Sequence, residues 1–187
     1  MAASNCTRSR LRLERAARRS RAQAKQPLRL GRSEGEAVKL ITAGVVLGVG
    51  LGGFVDGITL HQIAQWHNMG SALLPPTTVD AMSRNMVWDG LFHAVTWVVT
   101  VIGVVMLWTD TARPTRVRSL RSFVGELIFG WGLFNLVEGV IDHHLLQIHH
   151  VRDVPVHVPI YDWLFLAVGG IGLLVIGWTM TRPQPGT

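Results

Sequence analysis

Four stretches of this chain, residues 40–62, 88–108, 123–146 and 161–180, are apolar over roughly the 20 residues that an α-helix needs to cross a bilayer. In lipid a backbone must satisfy its own hydrogen bonds, and such segments do so as helices. Polar, proline-bearing connections separate them. "LPPTTVDAMSRN" breaks any helix after Leu74, and "RDVPVHVP" does the same before Tyr161. The composition agrees: of 187 residues 48% are apolar and only 16% charged. The expectation is a single all-α integral membrane domain over residues 39–181, preceded by an arm at 1–38 and followed by a short cytoplasmic tail at 182–187.

Charge sets the expected topology. Eleven of the 18 Lys and Arg lie between Arg8 and Lys39, and the second loop holds Arg113, Arg116, Arg118 and Arg121. The first and third loops hold one each, Arg84 and Arg152. Cytoplasmic segments gather Lys and Arg, so both termini are expected inside, in a cell inner (plasma) membrane. Trp88, Trp108, Trp163 and Trp178 stand near the helix ends, where amphipathic rings prefer the headgroup zone. The arm lacks interleaved aromatics or a binding module, so no nucleic-acid partner is expected, and its composition suits disorder. The apolar stretch after Lys39 runs too far for a cleaved signal. The single cysteine, Cys6, excludes an internal disulfide and any cysteine-based metal motif.

On this topology all eight histidines (61, 67, 93, 143, 144, 149, 150 and 157) fall on the extracytoplasmic side. Asp56, Asp89, Glu138, Asp142 and Asp162 share that half. "GVGLGGFVDGITLHQIAQWH", residues 48–67, overlays "GWGLFNLVEGVIDHHLLQIH", residues 130–149, with identity at His61/His143, His67/His149, Gln65/Gln147 and Gly57/Gly139, and with Asp56 on Glu138. More loosely, "WDGLFHAV" from Trp88 matches "YDWLFLAV" from Tyr161 and aligns Asp89 with Asp162. The chain reads as a four-helix bundle built as a 2+2 parallel internal repeat, its copies related by a pseudo-twofold axis along the membrane normal. Gly44, Gly48 and Gly52 recur every fourth residue and invite close approach of another helix, and the same row ends at Asp56. At ~100° per residue His61 should stand about 140° round from Asp56, facing a neighbouring helix.

The motifs "GGFVDGITLHQIAQWHNM", "DGLFHA" and "FNLVEGVIDHHLLQIHHVR" resemble the bacterial domain-of-unknown-function family 2243, over about Lys39 to Trp178. The resemblance implies a four-helix membrane protein and brings no activity with it.

Ionisable residues inside a membrane are costly and need partners. Imidazoles with carboxylates suit a transition metal, copper, zinc or iron. The expected ligands are His61, His93, His143, His149, Asp56 and Glu138; Asp89, Asp142, His67, Asn135, Gln65 and Gln147 are expected to orient them. Met69, Met82 and Met86 in the first outer loop would favour copper, or merely fill space. Metal handling or cofactor assembly would bring in metal-delivery or oxidase-assembly partners besides the lipid bilayer. Two alternatives use the same residues: a proton or cation relay, and a hydrogen-bonded lock between the copies. Haem held by paired histidines fits the bundle but not the surrounding carboxylates. The His-rich di-iron membrane enzymes space their histidines differently, and no nucleophile–base pair or phosphate-cradling loop stands out, so an enzyme is not favoured.

Overall fold

The computed structural model describes residues 42–111 and 119–182, which form helices, turns and loops with no strand among them. The basic arm, Arg113, Arg116, Arg118 and residues 183–187 lie outside the described residues. Four helical segments are long and apolar enough to cross a membrane: Ala43–Ile63, Val79–Asp110, Leu120–Leu145 and Pro159–Thr181.

Helix α1 (Ala43–Asp56) starts where the Thr42 hydroxyl accepts from Val45 N at 3.2 Å, and α3 (Leu120–Glu138) where Ser119 accepts from Ser122 N at 3.1 Å. Each cap satisfies one of the amide donors a helix start leaves open. Helix α2 (Val79–Thr111) begins nine residues ahead of the expected 88. Thr78 caps it by accepting from Ala81 N at 3.2 Å, so the prolines end before the helix needs their missing amides. The fourth span is α4 (Pro159–Leu164), a π-helical stretch (Phe165–Gly172) and α5 (Leu173–Thr181).

Helices α1 and α3 cross at the centre. A Cβ on Gly48 would stand 2.9 Å from the Gly130 Cα, and one on Gly130 would stand 2.9 Å from the Gly48 Cα, with the Leu127 and Val45 carbonyls closer still. Any larger residue here would force the helices apart, so the glycine row seen in the sequence is a helix-crossing surface. Helix α2 packs on α1 and α5 on α3, with no extensive contact joining α2 to α5 among the described residues. The arrangement is a central pair with two flanking helices. The flanks turn Val95, Val98, Ile102, Val105, Val168, Ile171 and Val175 outward, as a lipid-facing surface requires.

Both central helices change character at the same depth. After Asp56 the chain continues as a π-helical stretch, Gly57–Ile63, and after Glu138 as another, Gly139–Leu145. Ala64 N donates to Thr59 O at 2.8 Å and Leu146 N to Ile141 O at 2.7 Å, the five-residue step of a π-helix. Each stretch ends on a glutamine in left-handed backbone, Gln65 (φ 51°) and Gln147 (φ 50°). The loops beyond then bond to one another, Ala72 N to Ile148 O at 3.1 Å and Val154 N to Trp66 O at 2.9 Å. Tyr161 stacks on Trp66 at 5.5 Å and Arg152 lies over the same ring, which fastens this end of the molecule.

Candidate metal centre

The π-helical stretches decide which side chains meet. In a continuing α-helix His61 would face away from Asp56; the five-residue step instead stacks it above. His61 Nε2 lies 3.2 Å from Asp56 Oδ2, and the predicted separation of about 140° is thereby corrected. On the other central helix His143 Nε2 lies 3.9 Å from Glu138 Oε1.

The loop histidines complete the cluster. His67 Nδ1 donates to the Val151 carbonyl at 2.9 Å, and His149 Nδ1 donates to the Met69 carbonyl at 3.3 Å. A carbonyl only accepts, so the proton of each neutral ring sits on Nδ1 and the Nε2 lone pair points inward. The two rings stack at 4.6 Å, with exposures of 1% and 0%. Burial pushes His67 below its ordinary pKa, against the pull of Asp56, and pushes His149 well below, assisted by His67, His143 and His61. Both imidazoles are therefore neutral at pH 7, the form that ligates metal.

The resulting contacts bring imidazole nitrogens against carboxylate oxygens. His149 Nε2 shares a hydrogen bond with Glu138 Oε1 at 3.3 Å, and His67 Nε2 lies 3.9 Å from Asp56 Oδ2. His61 lies between two carboxylates, with Nδ1 2.9 Å from Asp89 Oδ1 and Nε2 3.2 Å from Asp56 Oδ2. A lone pair facing a carboxylate oxygen is repulsive unless a proton or a metal ion lies between. Neither oxygen of Asp56, nor His61 Nε2, His67 Nε2, His143 Nε2 or Glu138 Oε2, has a hydrogen-bond partner, although all are buried. The donor atoms of His61, His67 and His149 lie within 4.8 Å of one another, as do those of Glu138, His143 and His149, and of Asp56, His67 and Glu138.

Two carboxylates hold the imidazoles from behind. Asp89 accepts from His61 Nδ1, from Met69 N at 2.8 Å and from Asn68 Nδ2 at 2.7 Å. Asp162 accepts from Val151 N at 2.8 Å and lies 3.6 Å from His143 Nδ1. Phe92 stacks on His61 at 5.5 Å, and Phe165 lies 5.2 Å from His143.

The family described as "Predicted membrane protein", DUF2243, matches residues 43–184. The chain belongs to this family. No curated protein and no solved structure matches it. The family description names no activity, so in this DUF2243 member the chemistry is read from the residues.

Of the expected ligands, Asp56, His61, Glu138, His143 and His149 come together, and so does His67, which was expected only to orient them. His93 stands apart: its Nδ1 donates to the Asp89 carbonyl at 2.7 Å and its ring packs on Gly57. Asp89, expected to orient a ligand, lies 2.9 Å from His61 Nδ1. Asn135 is buried but turns its amide to Gly169 O at 3.0 Å, and Asp142 is half-buried with its carbonyl accepting from Ile148 N. Gln65 and Gln147 are exposed, and their backbone turns, not their amides, serve the cluster. Asp162 was missed as an orienting group, although its alignment with Asp89 was the signal for it. Met82 and Met86 line an outward cleft of about 460 Å³ that reaches His61 and Asp89.

Proposed function

We propose that this protein is a metal-handling protein of the inner membrane, with both termini cytoplasmic and a transition-metal centre at its extracytoplasmic end. The ligands are His61, His67, His143, His149, Asp56 and Glu138. The ion is copper, zinc or iron, since imidazole and carboxylate together suit these. One observation carries the reading: His67 and His149 are each held through Nδ1 by a backbone carbonyl so that their Nε2 atoms converge on two buried carboxylates, where His67 Nε2 and both Asp56 oxygens have no hydrogen-bond partner. A metal ion relieves all of these contacts at once, and an orienting acceptor behind each imidazole is the usual accompaniment of such ligation.

The 2+2 repeat belongs to the same reading. Partners recur 82 positions apart: His67 to the carbonyl of 151 and His149 to that of 69, glutamine turns at 65 and 147, and crossing glycines at 48 and 130. A pseudo-twofold axis through the Gly48/Gly130 crossing and the His67/His149 stack accounts for every one of these pairs. A proton relay is less well supported, because between the cluster and Glu126, which packs on Gly44, the α1/α3 interface is Gly52 against Trp131 and Gly48 against Gly130, which move no protons.

Elemental analysis of the purified chain beside a His67→Gln/His149→Gln variant tests the proposal. Near-stoichiometric copper, zinc or iron, lost in a variant that still elutes as a folded protein, is expected. Absence of metal from both after metal-replete expression would refute it.

A further inference from the structure

The two orienting carboxylates have equivalent inner partners and different outer ones. On their inner sides Asp89 faces Met69 N and His61, and Asp162 faces Val151 N and His143. On the outer side Asp89 Oδ2 is closed off by the Asn68 amide at 2.7 Å. Asp162 Oδ2 instead meets His150 Nδ1 at 3.0 Å, where position 150 corresponds to 68, and also His157 Nε2 at 3.1 Å. His157 comes from the third loop and has no counterpart in the first half. An amide NH₂ has no lone pair for a metal; an imidazole does.

These two rings stack at 3.9 Å and 14°, so both nitrogens lie at the same edge of the pair, above one carboxylate oxygen. Stacked so closely, the rings repel if both are protonated, whereas a shared cation suits them. His157 is 40% exposed, and both histidines border a cavity of about 420 Å³ that Ser71, Asp153 and Pro155 also line. Behind them His143 has no hydrogen-bond partner on either ring nitrogen, so it is less firmly held than His61, whose Nδ1 is bonded to Asp89.

We infer that His150, His157 and Asp162 form a second, outward-facing site for a divalent transition-metal ion, from which the ion passes by way of His143 to the central ligands. Two imidazoles and a carboxylate leave coordination positions open, as a site that must release its ion requires. Only the ion's destination rests on the central reading; the outer site stands on its own residues.

The test is Co²⁺ titration of the full chain in detergent, followed by absorbance and elemental analysis. Wild type is expected to bind ions of a tight and a weak class. His150→Asn/His157→Ala, which copies the closed first half, should lose the weak class, keep the tight one, and load it slower by about tenfold or more. His67→Gln/His149→Gln should lose the tight class and keep the weak one. The single change His157→Ala, at an exposed position, guards against a double variant that misfolds, and it too should weaken the outer site. Unchanged titration and loading in both outer-site variants would overturn the inference. Weak binding that depends on His150 and His157, with no tight class in wild type, would uphold the outer site and refute the central one.

Discussion

Acidification should destabilise the metal-stripped protein by an amount set by His67 and His149. In the unfolded chain both titrate near 6.5; in the folded one burial lowers both. Below pH 6.5 the unfolded state therefore binds two protons that the folded state refuses, and stability falls with pH until the folded values are reached. Each imidazole approaches about 1.4 kcal/mol per pH unit only well below 6.5, where the unfolded ring is fully protonated, so the pair removes at most about 2 kcal/mol between pH 6.5 and 5.5 and about 0.7 kcal/mol between 7.5 and 6.5. His67→Gln/His149→Gln isolates this term, because a glutamine amide can still donate to the Val151 and Met69 carbonyls but does not titrate. The assay is equilibrium unfolding in detergent, followed by tryptophan fluorescence, for both proteins after chelation. Wild type should lose up to about 2 kcal/mol more than the variant over that one unit. Parallel pH profiles, or a wild type that gains stability in acid, would refute the neutral, inward-pointing assignment of the two rings.

Other expectations follow from packing and backbone. Gly48→Leu puts a side chain where the Gly130 Cα already stands 2.9 Å from a Cβ, and should cost at least about 1–3 kcal/mol in the same unfolding assay. Asp89→Asn leaves the fold in place but weakens the hold on His61 Nδ1, so metal affinity by competition with a chelator should fall about 10- to 100-fold. Gln65→Gly and Gln147→Gly each release a left-handed residue and should each stabilise by roughly 0.5–1 kcal/mol, and markedly unequal effects would count against equivalent turns.

The spans were legible because hydropathy over about 20 residues is a long, redundant signal. The start of α2 was not, since it turns on one Thr78 cap beside two prolines. The glycine row predicted a close helix approach, and α1 meets α3 there. The cluster was legible in membership but not in geometry. An α-helical count separates Asp56 from His61, and only the insertion of π-helical bonding, which apolar periodicity does not encode, brings them to 3.2 Å. His67 was undervalued for a related reason. Its inward aim depends on a hydrogen bond to Val151, 84 residues away, and no local pattern announces such a partner.

That long-range bond also joins binding to folding. Each loop histidine takes its orientation from the other half of the chain, His67 from Val151 and His149 from Met69, so neither half can present its ligand alone. The same loops bond to each other through Ala72 with Ile148 and Val154 with Trp66, and the Gly48/Gly130 crossing sets the spacing of the helices beneath. Pulling the halves apart thus removes the donor set as a unit. An ion bound by that set acts against separation, and its binding free energy adds to the stability of the assembled fold. The outer site escapes this dependence. His150, His157 and Asp162 all lie within one short stretch of the second half, so an ion can be held there before the central contacts have closed around it.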